Sequence, residues 1–160
     1  MSAQTIDRVR PRWQELLLRG PGVLASPLSR VVITLVIVAG ALCVIGSGVI
    51  HLYLWGKQYG YRGIPTIGPL FLLQGIVAIV VGLLAVVSRR LAVQLAAAGL
   101  MIASVIALVL AVEVGLFGFR DSWLAPYAWT TLYEEIAGGV LLLAATAALA
   151  WPGWSRRLSR

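Results

Sequence analysis

Four long apolar runs divide the chain, at 31–55, 70–88, 91–117 and 129–151, separated by short stretches rich in turn-forming and polar residues. Each run matches the roughly 20 residues an α-helix needs to cross about 30 Å of hydrocarbon. The pattern predicts an all-α fold, an integral membrane four-helix bundle, with a basic segment at 1–30 and a basic tail at 152–160. The first run is longer than the h-region of a signal peptide, about 7–15 residues, and has no A-x-A-like site at its far end, so it is expected to be a retained span. Pro69 opens the second run, and Arg89 and Arg90 close it and lead at once into the third, as a tight hairpin. Ahead of the spans, Pro11 to Arg19 (PRWQELLLR) reads as a short interfacial helix with Trp13, Leu16 and Leu17 on one side, ended by Gly20, Pro21 and Gly22.

Composition sharpens this picture. With 60% hydrophobic and 12% charged residues and a mean hydropathy of +0.93, four spans use up the 160 residues and leave no separate soluble domain. The net charge of +7 does not read as a nucleic-acid groove, because the basic residues are dispersed around the apolar runs. They report topology instead. Ten of the 13 flank the N-terminus, the 89–90 hairpin and the C-terminus, while Lys57, Arg62 and Arg120 alone fall in the other two loops. The positive-inside bias then predicts both termini in the cytoplasm. Trp55, Tyr59, Tyr61, Trp123, Tyr127 and Trp129 would mark the outer interface, and Trp13, Trp151 and Trp154 the inner one. A lone cysteine, Cys43, excludes an internal disulfide and CxxC chemistry, and a lone histidine excludes a bis-histidine haem or a three-histidine metal site.

Candidate chemistry lies where polar groups interrupt the spans. His51, Gln74, Glu113 and the pair Glu134 and Glu135 each fall one to one and a half turns from an outer boundary, roughly 6–9 Å deep at about 1.5 Å per residue. Packed as a bundle, they can converge on one outward-opening layer. Adjacent helical residues point about 100° apart, so one of the two glutamates faces the core; Glu134 is favoured by Tyr127, Thr130 and Thr131 on nearby turns. Tyr53, Tyr61, Phe117, Phe119 and Tyr127 are expected to line the mouth, with Arg62 and Arg120 near enough to compensate a carboxylate. Imidazole and carboxylates are ligand types for zinc, but no HxxxH or ExxH spacing supports a metal. The inner half reads as plain packing, with Gly40, Gly82 and Gly99 allowing close helix contact.

Tyr59-Gly60-Tyr61-Arg62 and Phe117-Gly118-Phe119-Arg120 form a weak internal repeat, each followed by a proline, Pro69 and Pro126, before the next span. The bundle layout resembles DoxX-like small bacterial membrane proteins. IPTIGPLFLLQ (Ile64 to Gln74) and GLFGFRD (Gly115 to Asp121) resemble segments of four-span proteins of high-GC Gram-positive bacteria. The resemblance implies a multi-pass protein of the bacterial cytoplasmic membrane and, from the DoxX-like side, an association with quinone-linked redox complexes. The leading expectation is an outward-facing polar pocket for a lipid-like or quinone-like molecule, or an accessory subunit docking a membrane partner or a second copy. Two alternatives stand beside it: a membrane enzyme or redox subunit handling protons through His51 and Glu113, and a small oligomeric transporter or channel.

Overall fold

The computed structural model describes residues 12–24, 26–57 and 60–151. The basic tail at 152–160, with Trp154, and Pro11 and Tyr59 lie outside the described residues. The described residues are helical and contain no strand, only an isolated bridge between Leu116 and Phe119. Helix α1 spans Arg12–Leu17, α2 Pro27–Gly56, α3 Ile67–Ser88, α4 Leu91–Glu113 and α5 Ala128–Ala150. The last four are long and apolar enough to cross a membrane, the architecture of a multi-pass membrane protein.

Local chemistry sets the ends. Ser26 caps α2, its hydroxyl accepting from the Ser29 amide at 3.0 Å, with Pro27 at the first position, so the helix starts four residues before the apolar run. Arg89 takes the left-handed conformation that ends α3 (φ 52°), and a two-residue connection starts α4. Helix α4 stops at Glu113, short of the apolar run's end at Phe117. There Gly115 (φ 96°), Phe117 (φ 52°) and Gly118 (φ 78°) fold into a turn in which Leu116 and Phe119 exchange backbone hydrogen bonds. The first copy of the weak repeat instead forms a 3-10 turn at Tyr61–Gly63, so the two motifs differ in backbone although their loops meet. The closer correspondence is between Pro65-Thr66 and Pro126-Tyr127. In each, the residue after proline has positive φ, 65° and 64°, and heads the next helix.

Around the bundle, α2 packs along α3 and α5, and α4 packs along α5, whereas α3 and α4, though joined by the shortest connection, touch far less. The α2–α3 seam is built on Gly48, Gly75 and Gly82, where an added Cβ would meet the facing helix at 2.9, 2.6 and 2.5 Å. Gly40 is equally tight, with Leu142 at 2.8 Å, but Gly99 faces open space and has no packing role. Leu24, Ile33, Ile37, Leu91, Ala145 and Leu149 fill one end of the bundle, and Val44, Ala78, Ala97, Ala98, Met101 and Leu142 fill its middle. Helix α1 closes the first end: Leu16 and Leu17 pack on that cluster, and the Leu91 amide donates to the Arg19 carbonyl at 2.8 Å. Two polar side chains among the described residues are buried in this half: Thr146, whose hydroxyl donates to the Leu143 carbonyl at 2.7 Å, and Gln94, whose Nε2 donates to the Ala85 carbonyl at 3.1 Å and fastens α4 to the end of α3.

Candidate functional site: a buried carboxylate in an apolar cavity

At the other end of the bundle the polar groups gather. Ser47 and His51 lie one turn apart on the buried face of α2. The ring Nδ1 is 2.8 Å from the Ser47 carbonyl oxygen, which can only accept, so Nδ1 carries the proton and Nε2 is left as an acceptor. Across from them on α5, Glu135 is 1% exposed, with one face shared by Ala128, Thr131, Gly138, Gly139 and Leu142. Its Oε1 accepts from the Ser47 hydroxyl at 2.8 Å and from Ser104 of α4 at 2.5 Å, so a single oxygen ties three helices together. Its Oε2 is buried with no hydrogen-bond partner, and Gln74 Nε2 on α3 is in the same state.

His51, Gln74, Ser104 and Glu135 line a cavity of about 360 Å³ with mostly apolar walls, including Leu70, Leu73, Val77, Ala103, Ala107 and Leu108. It occupies the loosely packed gap between α3 and α4. Leu70 and Leu73 on one lip are 40% and 58% exposed, and Ala103 on the other is exposed too, so the cavity reaches the lateral surface of the bundle. The middle cluster closes its floor.

Two loops make its roof. Tyr61 stacks on Phe71 (4.1 Å, 9° between planes) and meets Phe119 edge-on at 5.8 Å, and Phe71 in turn lies 5.0 Å from the His51 ring. The Tyr61 hydroxyl donates to Asp121 Oδ2 at 2.9 Å, joining the two loops, and the Asp121 amide donates to the Ala111 carbonyl at 3.0 Å. Burial, then the neighbouring Asp121 carboxylate, pushes the Tyr61 phenol above its ordinary value, so it remains the donor at neutral pH. Tyr61→Phe keeps the ring stack and removes this bond. Thermal unfolding should show a loss of about 1.5–3 kcal/mol, the range for a hydrogen bond to a charged group, and Asp121→Asn added to Tyr61→Phe should cost little more. With the folded value raised, the contribution is full below the unfolded phenol's pKa of about 10 and is lost progressively as pH rises from there through the higher folded value.

The layer expected from sequence is only partly assembled. His51, Gln74, Tyr61, Phe119 and Tyr127 line the cavity. Tyr53 sits just outside, in a recess it shares with Lys57, Tyr61, Phe119 and Tyr127. Glu113 does not join: it is exposed at the end of α4, and its Oε1 accepts from Trp123 Nε1 at 2.9 Å. Arg120 donates to the Val112 and Glu113 carbonyls, Arg62 lies over the Trp55 ring, and Phe117 is 64% exposed in its turn. Glu134, favoured over its neighbour from sequence, lies against Gly46 between α2 and α5 and outside the cavity.

No family model, curated protein or solved structure matches this chain. The site must therefore be read from its own geometry. Ser47 and Ser104 are the residues that sequence reasoning missed, and of the candidate pair it favoured Glu134 over Glu135. The available signal was phase: Thr131, Glu135, Gly138, Gly139 and Leu142 recur at helical spacing, which Glu134 does not share. Among the described residues no group of histidine, cysteine and carboxylate side chains is placed to hold a metal. The arrangement can receive a molecule with a polar head and an apolar body, offering it acceptors at Glu135 Oε2 and His51 Nε2 and a donor at Gln74 Nε2.

Proposed function

We propose that this protein binds one membrane-borne amphiphile per chain, a lipid-like or quinone-like molecule whose head meets His51, Gln74 and Glu135 and whose tail leaves between α3 and α4. The observation that carries this reading is that, of four buried side-chain atoms without a partner among the described residues (Gln74 Nε2, Gln94 Oε1, Glu134 Oε2 and Glu135 Oε2), two belong to residues lining one cavity open to the lateral surface, Gln74 and Glu135. Unmatched polar groups in an apolar setting cost several kcal/mol in order of magnitude, and a ligand head relieves that cost. The floor of packed alanines, Met101 and Leu142 favours a binding site over a conduction path. Arg12, Arg19, Arg30, Arg89 and Arg90 at the opposite end support an inner-membrane protein with both termini cytoplasmic and the site near the outer face.

Carbodiimide labelling tests this reading. In protein washed free of lipid, dicyclohexylcarbodiimide should modify Glu135, as mapped by peptide mass spectrometry, while a water-soluble carbodiimide should prefer Glu113. Restoring a total membrane-lipid extract should protect Glu135. A Glu135 that reacts first with the water-soluble reagent, or that lipid never protects, would overturn the proposal.

A further inference from the structure

The charge of the cavity is one-sided. Two carboxylates line it, Glu135 and Asp121, and no lysine or arginine does, on a chain whose net charge is +7. The basic side chains of the neighbouring loops are engaged elsewhere. Lys57 Nζ lies 4.3 Å above the Tyr53 ring, Arg62 lies over Trp55, and Arg120 donates to backbone carbonyls. Asp121 is occupied by the Tyr61 hydroxyl and the Ser122 amide. Glu135, 1% exposed, is not: two serine hydroxyls hold Oε1, and Oε2 has no partner, in a side chain that forms part of the cavity wall. The other open acceptor is His51 Nε2, in a residue that also lines the cavity.

Resting on the reading that the cavity holds an amphiphile, we propose that the head group it selects is cationic: a singly charged ammonium on an apolar chain, donating N–H to Glu135 Oε2 and His51 Nε2. Such a head supplies the positive charge that holds Glu135 ionised, which no protein cation does, and in an apolar wall that attraction is weakly screened. A phosphate-bearing head would set negative charge beside two carboxylates. A neutral alcohol or quinone could accept from Gln74 Nε2 but brings no positive charge, leaving a proton to neutralise Glu135.

Three probes with one decyl chain separate these cases: decylamine, decanol and decanoate, each equilibrated at pH 7 with the full chain in nanodiscs of zwitterionic lipid. Bound probe is compared with that on Glu135→Gln and on the cavity-filling Ala107→Phe in identical discs, so partition into lipid cancels. Decylamine should bind wild type at least about tenfold more tightly than Glu135→Gln, a factor equivalent to one charge-assisted contact. Decanol should change by less than about threefold between the two, and decanoate should favour Glu135→Gln. Glu135→Asp, which keeps the charge, should retain the amine preference and controls for misfolding of the glutamine variant. Amine binding indifferent to both substitutions, or decanol bound as tightly as decylamine, would overturn the cationic head while leaving the amphiphile reading in place. If no probe binds wild type above Ala107→Phe, both fall together.

Discussion

Replacing Gly48 with valine should destabilise the bundle by about 3 kcal/mol or more, the upper end of the cost of overpacking a tight core. An added Cβ at Gly48 would lie 2.9 Å from the Gly75 carbonyl oxygen, 2.9 Å from Ile79 Cγ1 and 3.1 Å from Ala78 Cβ. A backbone oxygen cannot turn aside as a side chain can, so α2 and α3 must separate, and both lipid-facing packing and close backbone contact are lost along the seam. That seam also holds His51 against Phe71, so the roof of the cavity should loosen with it. Gly99→Ala provides the contrast. Nothing lies within 4 Å of a Cβ there, and the helix gains about 1 kcal/mol or less from alanine's propensity. Reversible unfolding in mixed micelles, followed by circular dichroism, should place the two variants on opposite sides of wild type. Equal stabilities for Gly48→Val and Gly99→Ala would contradict the packing described.

The second large effect is expected from Ala107→Phe. Ala107 lines the cavity from α4 without making a hydrogen bond through its side chain. A phenyl ring there occupies the space between α3 and α4 while leaving Ser47, His51, Gln74, Ser104 and Glu135 in place. Retention of a bound amphiphile should fall by at least about 100-fold, because exclusion forfeits the apolar contact of the whole molecule at roughly 25 cal/mol per Å². The fold should be kept, since the ring fills a void and disturbs no packed layer. This variant separates loss of space from loss of polar recognition, which Glu135 substitutions alone cannot do.

Much of the fold was legible because the bilayer demands so regular a pattern: long apolar runs with prolines, glycines and arginines at their ends. The site was legible in kind more than in identity. His51 and Gln74 stood out because a lone imidazole or amide in an apolar run is conspicuous, and both line the cavity. Glu113 misled because apolar residues continue to Phe117, which placed it a turn inside a span. The glycine turn at 115–118 ends α4 at Glu113 itself, and the carboxylate turns to Trp123. Between Glu134 and Glu135, neighbouring threonines and a tyrosine were a poorer guide than the small residues Gly138 and Gly139, which mark the packed face of α5. Ser47 and Ser104 gave no signal, since isolated hydroxyls are unremarkable in a membrane helix, where they bond to nearby carbonyls. Their role follows only from the order of helices around the bundle, which brings α2 and α4 to the same oxygen of Glu135.

Native mass spectrometry of wild type and Ala107→Phe, extracted in parallel from the same membranes without added ligand, tests the central claim most directly. Wild type should carry one amphiphile adduct per chain that survives detergent exchange, and the folded Ala107→Phe protein should carry none. A wild-type chain that flies bare, or an adduct equally retained by Ala107→Phe, would contradict the account.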